Sequence, residues 1–139
     1  VRIDLILRGV CSVVPGVKGL SENIHAISII DKFLEHSRIW LFHNLGDEKI
    51  YIASADLMDR NLDRRVEVAV PIYDDRIKSE IKHLLDLQLA DNTKARLLDA
   101  GLSNEYRVDR QSEEVRAQMD FSRLVQNRFQ KKFSRNKEN

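Results

Sequence analysis

The 139 residues give room for one domain with a hydrophobic core. With 42% apolar residues, 32% charged residues and a formal net charge of +1, bulk charge implies no polyanion partner, so an anion site would have to be a local cluster. The single cysteine, Cys11, excludes an internal disulfide and fits a reducing, cytoplasmic compartment, and no apolar run approaches the ~18 residues of a membrane span.

No signal peptide is visible, and the chain opens on Val1 inside a strand-like run, as a piece cut from a longer protein would. Residues 3–7 read as a strand ended by Arg8-Gly9. Residues 10–21 contain Pro15, Gly16 and Gly19 and read as a loop. The loop is no phosphate-cradling P-loop, because it lacks Gly-Lys-Ser/Thr, and its Lys18 is a solvated loop lysine or touches a polyanion. The isoleucine-rich stretch 24–30 is expected to be extended, and Asp31 to cap a helical turn over 32–36. Strands over 39–42 and 49–53 flank the turn Asn44-Leu45-Gly46-Asp47 and form a hairpin. A further strand is expected over 66–70, closed by Pro71.

Asp74 can cap a helix in which Ile77, Ile81, Leu84 and Leu85 recur at helical spacing. Residues 94–98 read as another strand. Ser112-Glu113-Glu114 is expected to open a last helix with acids in its first turn, where the helix dipole favours them. Val115, Met119, Leu124, Val125, Phe129 and Phe133 fall roughly on one face of it. The reading is an α/β fold, a mixed β-sheet with helices packed on it, over one domain of residues 1–130 followed by a basic, fraying tail, 131–139.

Two segments carry the chemistry. Phe33-Leu34-Glu35-His36-Ser37-Arg38 sets a histidine two residues before an arginine at the mouth of an apolar run. Imidazole exchanges a proton near neutral pH and can accept a phosphoryl group. The other three histidines, His25, His43 and His83, have no supporting motif. Residues 54–67 then pack seven charges into fourteen positions after a buried strand, four acidic (Asp56, Asp59, Asp63, Glu67) and three basic (Arg60, Arg64, Arg65). Charge against a core strand is costly unless solvated, paired or used. Arg38, Arg60, Arg64 and Arg65 can bind phosphate or simply pair with those four carboxylates. Ser54 and Asn61 can donate to phosphate oxygens or fix the loop, and the spacing does not choose. Arg8, at the end of the first strand, projects a guanidinium where ligands of α/β sheets gather, or pairs with Asp4 or Glu22. Cys11 has no metal-type partner spacing.

Read together, these segments resemble a half-site of the phospholipase D-like superfamily: His36 and Arg38, then Ser54-Ala55, Arg60-Asn61-Leu62 and Glu67. Within it the wording is similar to the C-terminal catalytic domain of long, histidine-phosphorylating polyphosphate kinases. The likeness runs from about Ile3 to about Phe121 and is carried by Leu7-Arg8-Gly9-Val10-Cys11-Ser12, Pro15-Gly16-Val17, Leu20-Ser21-Glu22-Asn23-Ile24, residues 33–38 and residues 54–65. It implies a phosphotransferase that reversibly moves the terminal phosphate of ATP onto polyphosphate through a phosphohistidine in a preceding domain that this chain lacks. His36 would be a second active-site histidine acting in acid/base catalysis, and Arg8 a ligand of nucleotide phosphates. Arg38, Arg64 and Arg65 would balance phosphate charge, with Ser54, Asn61 and Glu67 in support.

The resemblance implies Mg²⁺, with ligands outside this chain and no metal site within it. It implies ATP or ADP, inorganic polyphosphate and the rest of the same polypeptide as partners, and no nucleic acid. It is compatible with a homo-oligomer and with peripheral membrane association of the full protein. The isolated chain is expected to be inactive. Four departures stand out. Phospholipase D enzymes usually carry lysine at Arg38 and asparagine at Asp56 and Arg65, and the kinases usually carry tryptophan at Leu57. Two alternatives stay open: a single-motif phosphodiesterase working as a dimer, and a non-catalytic polyanion-binding module.

Overall fold

A computed structural model describes residues 1–109 and 111–135, with side chains to residue 130. Six strands and three α-helices follow one another as β1 Ile3–Leu7, β2 Ile24–Ile29, β3 Ile39–Phe42, β4 Lys49–Ala53, α1 Asp59–Leu62, β5 Ala69–Pro71, α2 Asp75–Ala90, β6 Ala95–Leu98 and α3 Ala117–Arg135. The class is α/β, as read, with the strands divided between two three-stranded sheets, β1-β2-β6 and β3-β4-β5. The chain forms two compact units, one of Val1–Leu34 with Leu84–Asn139 and one of Glu35–His83.

In the first unit β2 is central, parallel to β1 (Ile3 opposite Ile24) and antiparallel to β6 (Ala26 opposite Leu98). Its Ala26, Ile27 and Ser28 are all buried, as expected of a strand covered on both faces. A parallel pair needs a long connection, here the irregular stretch 8–23. Buried Ser21 closes it: its Oγ donates to the Val14 carbonyl (2.6 Å) and accepts from the Val17 N–H (3.1 Å). The turn so closed needs positive φ at Gly16 and Gly19, which glycine adopts without a Cβ clash.

Asp91 anchors the same unit. It is 0% exposed, and its Oδ1 accepts the N–H groups of Thr93 (3.0 Å), Lys94 (2.6 Å) and Ala95 (2.9 Å). Its Oδ2 accepts the Ala117 N–H (2.8 Å) at the start of α3. One carboxylate thus caps a helix and pins the entry to β6, satisfying four backbone donors that burial would otherwise strand. Close by, Asp31 takes Arg116 through Nη2 (2.6 Å) and Nε (3.0 Å), and the Gln118 amide spans the N–H and carbonyl of Phe33 at 2.9 and 2.7 Å.

These contacts explain two corrections. Residues 31–33 are bends and 34–38 carry no regular structure, so the expected helical turn over 32–36 does not form. Asp31 is spent on Arg116 and the Phe33 amide on Gln118, leaving no capping group to nucleate a turn. The last helix starts at Ala117 and not at Ser112, because Asp91 supplies its cap there, and Asp120 is the acid of its first turn. The helix carries on past Lys131 to Arg135, while 136–139 and the side chain of Phe133 lie outside the described residues.

In the second unit the predicted hairpin is present, with Ile39 opposite Ile52 and Phe42 opposite Lys49. A 3₁₀ turn at Asn44–Gly46 joins its strands. β5 is shorter and later than expected, Ala69–Pro71 against 66–70. It is an edge strand, where proline's missing N–H is tolerated. Asp74 does cap α2, its Oδ1 accepting from Arg76 (2.9 Å) and Ile77 (3.2 Å).

Candidate functional site

The β3–β4–β5 register gathers one group of predicted residues. Arg38 sits just before β3, and its carbonyl accepts the Ala53 N–H at 2.9 Å, extending the β3–β4 ladder by one step. Ser54 follows β4. Its N–H donates to the Val68 carbonyl (2.9 Å) and its Oγ accepts the Val68 N–H (3.0 Å), extending the β4–β5 ladder. The chain then turns through buried Ala55 to Asp56 and the short helix α1, which carries Asn61.

Two polar pairs result. The Arg38 guanidinium lies on the Asp56 carboxylate, Nε to Oδ1 at 2.7 Å and Nη2 to Oδ2 at 3.4 Å, with both side chains a little under a third exposed. Nη1 of Arg38 points the other way and comes within 3.5 Å of the His36 carbonyl. Asp56 is the first cause of a raised Arg38 pKa, and the Glu67 charge adds to it.

Glu67 is held by its neighbours. Ser54 Oγ donates to Oε2, and Asn61 Nδ2 donates to Oε1 at 2.8 Å. These hydrogen bonds, followed by the charges of Arg65 and Arg38, keep the Glu67 carboxyl below the usual range against a smaller opposing effect of burial. Asn61 is buried, and its Oδ1 is the one buried side-chain polar atom among the described residues with no hydrogen-bond partner. Turning the amide over would set its oxygen against the Glu67 carboxylate, so the orientation is fixed by that acid.

In this structure Ser54 and Asn61 are both donors to Glu67. The arginines divide. Arg38 is ion-paired, whereas Arg60, Arg64 and Arg65 are exposed on α1 and the stretch that leads to β5. His36 is exposed in the irregular stretch before β3, in the same unit as these groups. Arg8 lies in the other unit, exposed, immediately after β1. Asp4, one of its two candidate partners, meets Arg2 (3.0 Å) and His25 (3.8 Å).

Asp56 stood in the sequence both as a departure from a pattern and as one of four carboxylates open to the arginines, and the structure makes it the partner of another departure, Arg38. Asp31 was read only as a helix cap, and Asp91, Arg116 and Gln118 carried no signal beyond an Asp-Asn-Thr turn composition at 91–93. Neither carboxylate beside Arg38 is arranged for a metal, since Asp56 is on a guanidinium and Glu67 on two donors. Among the described residues no three His, Cys, Asp or Glu side chains group to hold one.

Comparison with known proteins agrees over most of the chain. Residues 1–118 match the family model described as polyphosphate kinase C-terminal domain 2. The polyphosphate kinase of Escherichia coli (strain K12) is 46% identical over 119 residues, 86% of this chain and 17% of that protein. That of Vibrio cholerae is 49% identical over the same length. A crystal structure of polyphosphate kinase from Porphyromonas gingivalis superposes with a TM-score of 0.88 at 44% identity, covering 92% of this chain and 20% of that one. The chain thus spans about a sixth of the length of the curated relatives it matches.

Proposed function

Since the chain belongs to the polyphosphate kinase C-terminal domain 2 family, we propose that it is the part of an ATP:polyphosphate phosphotransferase that orients phosphates for transfer. The observation that carries this reading is the half-site of the second unit: an exposed imidazole two residues from a guanidinium that is fixed by a carboxylate and backed by a second held acid.

In this reading the P–O bond to the leaving ADP breaks as a P–N bond forms to a histidine in the rest of the polypeptide. The terminal oxygen of polyphosphate then attacks that phosphorus, and the P–N bond breaks. His36 accepts the proton of the attacking phosphate hydroxyl and returns it in the reverse direction. Arg38 sets the position of phosphate oxygens, Arg8 meets the nucleotide phosphates, and exposed Arg64 and Arg65 balance the charge of the polymer. Phosphoryl transfer asks a protein mainly for such positioning and charge neutralisation.

Magnesium, which the family implies, would neutralise phosphate charge and would be held by phosphates and by residues beyond this chain. Its 139 residues make no polyphosphate by themselves in this reading, and their place is the cytoplasm, supported by the single cysteine.

A chimera tests it. The matching segment of the E. coli enzyme is replaced by this chain, and ATP-dependent polyphosphate formation is measured. The wild-type chimera is expected to be active. His36→Ala should lower kcat on the order of 10²–10⁴-fold, the usual worth of a proton-transfer group. Arg8→Ala should raise KM for ATP. An active chimera indifferent to His36→Ala would sink the reading. Cleavage of a chromogenic phosphodiester that depends on His36 would replace it with the phosphodiesterase alternative.

A further inference from the structure

Two departures from the phospholipase D pattern touch in the structure. Arginine stands at 38 where that pattern has lysine, and aspartate at 56 where it has asparagine. The two side chains form a two-point pair, Nε–Oδ1 at 2.7 Å and Nη2–Oδ2 at 3.4 Å. Neither change makes this pair alone. An ammonium has no rigid fork, and an asparagine offers one acceptor oxygen and brings a donor that faces the guanidinium. The paired exchange also alters local charge. Lysine with asparagine carries one positive charge, whereas Arg38 with Asp56 carries none.

Asp56 is an acceptor only, so it cannot donate to a phosphate oxygen as an asparagine would. Its carboxylate saturates one edge of the guanidinium. The Nη1 side remains directed toward the backbone of His36. Glu67, whose charge also acts on Arg38, is tied by Ser54 and Asn61 and is not arranged to take the guanidinium from Asp56.

We propose that Asp56 is a positioning and specificity-determining residue. It holds Arg38 by its Nε–Nη2 edge, presents the Nη1 edge to a phosphate oxygen beside His36, and weakens Arg38's hold on a polyanion so that a highly charged chain end is gripped in register and still released. The inference deepens the phosphotransferase reading and rests on it. The chemistry recognised is a phosphoanhydride oxyanion, which a nucleotide and an inorganic polyphosphate share.

The test uses the 139-residue chain, with inorganic tripolyphosphate and Mg·ATP titrated separately by calorimetry. Asp56→Asn, nearly isosteric, should bind tripolyphosphate at least fivefold more tightly than wild type, with a steeper loss of affinity as salt rises. That gain should vanish in Arg38→Ala/Asp56→Asn. In ¹⁵N spectra the Arg38 Nε–H should be a distinct, slowly exchanging signal in wild type and lose that protection in Asp56→Asn; the remaining amide signals report whether the variant is folded. Asp56→Glu, which keeps the charge, should stay within about twofold of wild type.

The proposal falls if Asp56→Asn binds tripolyphosphate no better than wild type. It falls equally if the gain persists without Arg38, because Asp56 would then repel the anion directly. A gain for tripolyphosphate alone assigns the position to the polymer, and an equal gain for Mg·ATP assigns it to whichever phosphate lies beside His36; both support the role. Absence of binding by folded wild type to both ligands overturns the phosphate half-site reading and this proposal together. Binding that Asp56→Asn leaves unchanged overturns this proposal alone.

Discussion

Glu67 entered the reading as a supporting residue, by its place in a family pattern. The β4–β5 register brings it to Ser54 and Asn61, which donate to its two oxygens. A sequence cannot show this, because the pairing depends on a strand offset of a few residues. Ser54 and Asn61 keep the Glu67 carboxyl below the usual range. The acid therefore stays ionised through the neutral range, and its contribution to stability is present above the unfolded-state value and lost as pH falls through the lowered folded one. Asn61→Ala should remove one donor and raise the Glu67 pKa, which a carbon-detected NMR titration of the side-chain carboxyl reads directly. A titration unchanged from wild type would mean that Asn61 does not hold Glu67 in solution. Arg38 and Asp56 teach the complementary lesson: two oddities of composition become one interaction once a hairpin sets them across from each other.

At the scale of elements, what the sequence revealed best was what burial dictates. β1 to β4, β6 and α2 came from apolar period and turn chemistry, and they form close to where expected. Two of the misses share a cause, since there an element end is decided by a partner far along the chain. Residues 32–36 stay irregular because Asp31 and Phe33 are claimed by Arg116 and Gln118, 85 positions away. α3 begins late because Asp91, 26 positions back, caps it.

Both anchors can be tested. Asp91→Asn can keep the three donors at Oδ1 but turns the acceptor facing Ala117 into an N–H donor. It should cost about 1–3 kcal/mol, the worth of an unsatisfied buried donor, measured by urea unfolding. A cost near zero would mean that the cap at Ala117 contributes little. Asp31, whose side chain is only 2% exposed, is held below the ordinary carboxylate range by its hydrogen bonds from Arg116, partly opposed by burial. Its stabilisation is fully present above the unfolded-state value of about 3.9 and disappears as pH falls through the lowered value. The gap in urea midpoint between wild type and Asp31→Asn should therefore be widest near neutrality and narrow below about pH 4. A gap independent of pH would place the stabilisation elsewhere.

For the molecule as a whole, a net charge of +1 on 139 residues gives little general attraction for a polyanion. In the proposed reading, recognition of the polymer is local, in the stretch from His36 to Glu67 inside the unit Glu35–His83, while Arg8 of the other unit meets the nucleotide. A chain ending at Gln130, without the basic tail, should keep its tripolyphosphate affinity within about twofold at moderate salt. A larger loss would move binding to the tail. The family was legible because its motifs are long and linear; the sequence offered four carboxylates as partners of Arg38, and the choice of Asp56 is made in three dimensions. The remaining architecture turns on a few polar keystones, and Asp91 has a consequence for how the fold breathes. Four amides, those of Thr93, Lys94, Ala95 and Ala117, donate to this one carboxylate. A single rotation of one side chain would uncover all four at once. Their protons should therefore exchange with solvent deuterium as a group, with a shared opening free energy, although they belong to two stretches of chain more than twenty residues apart.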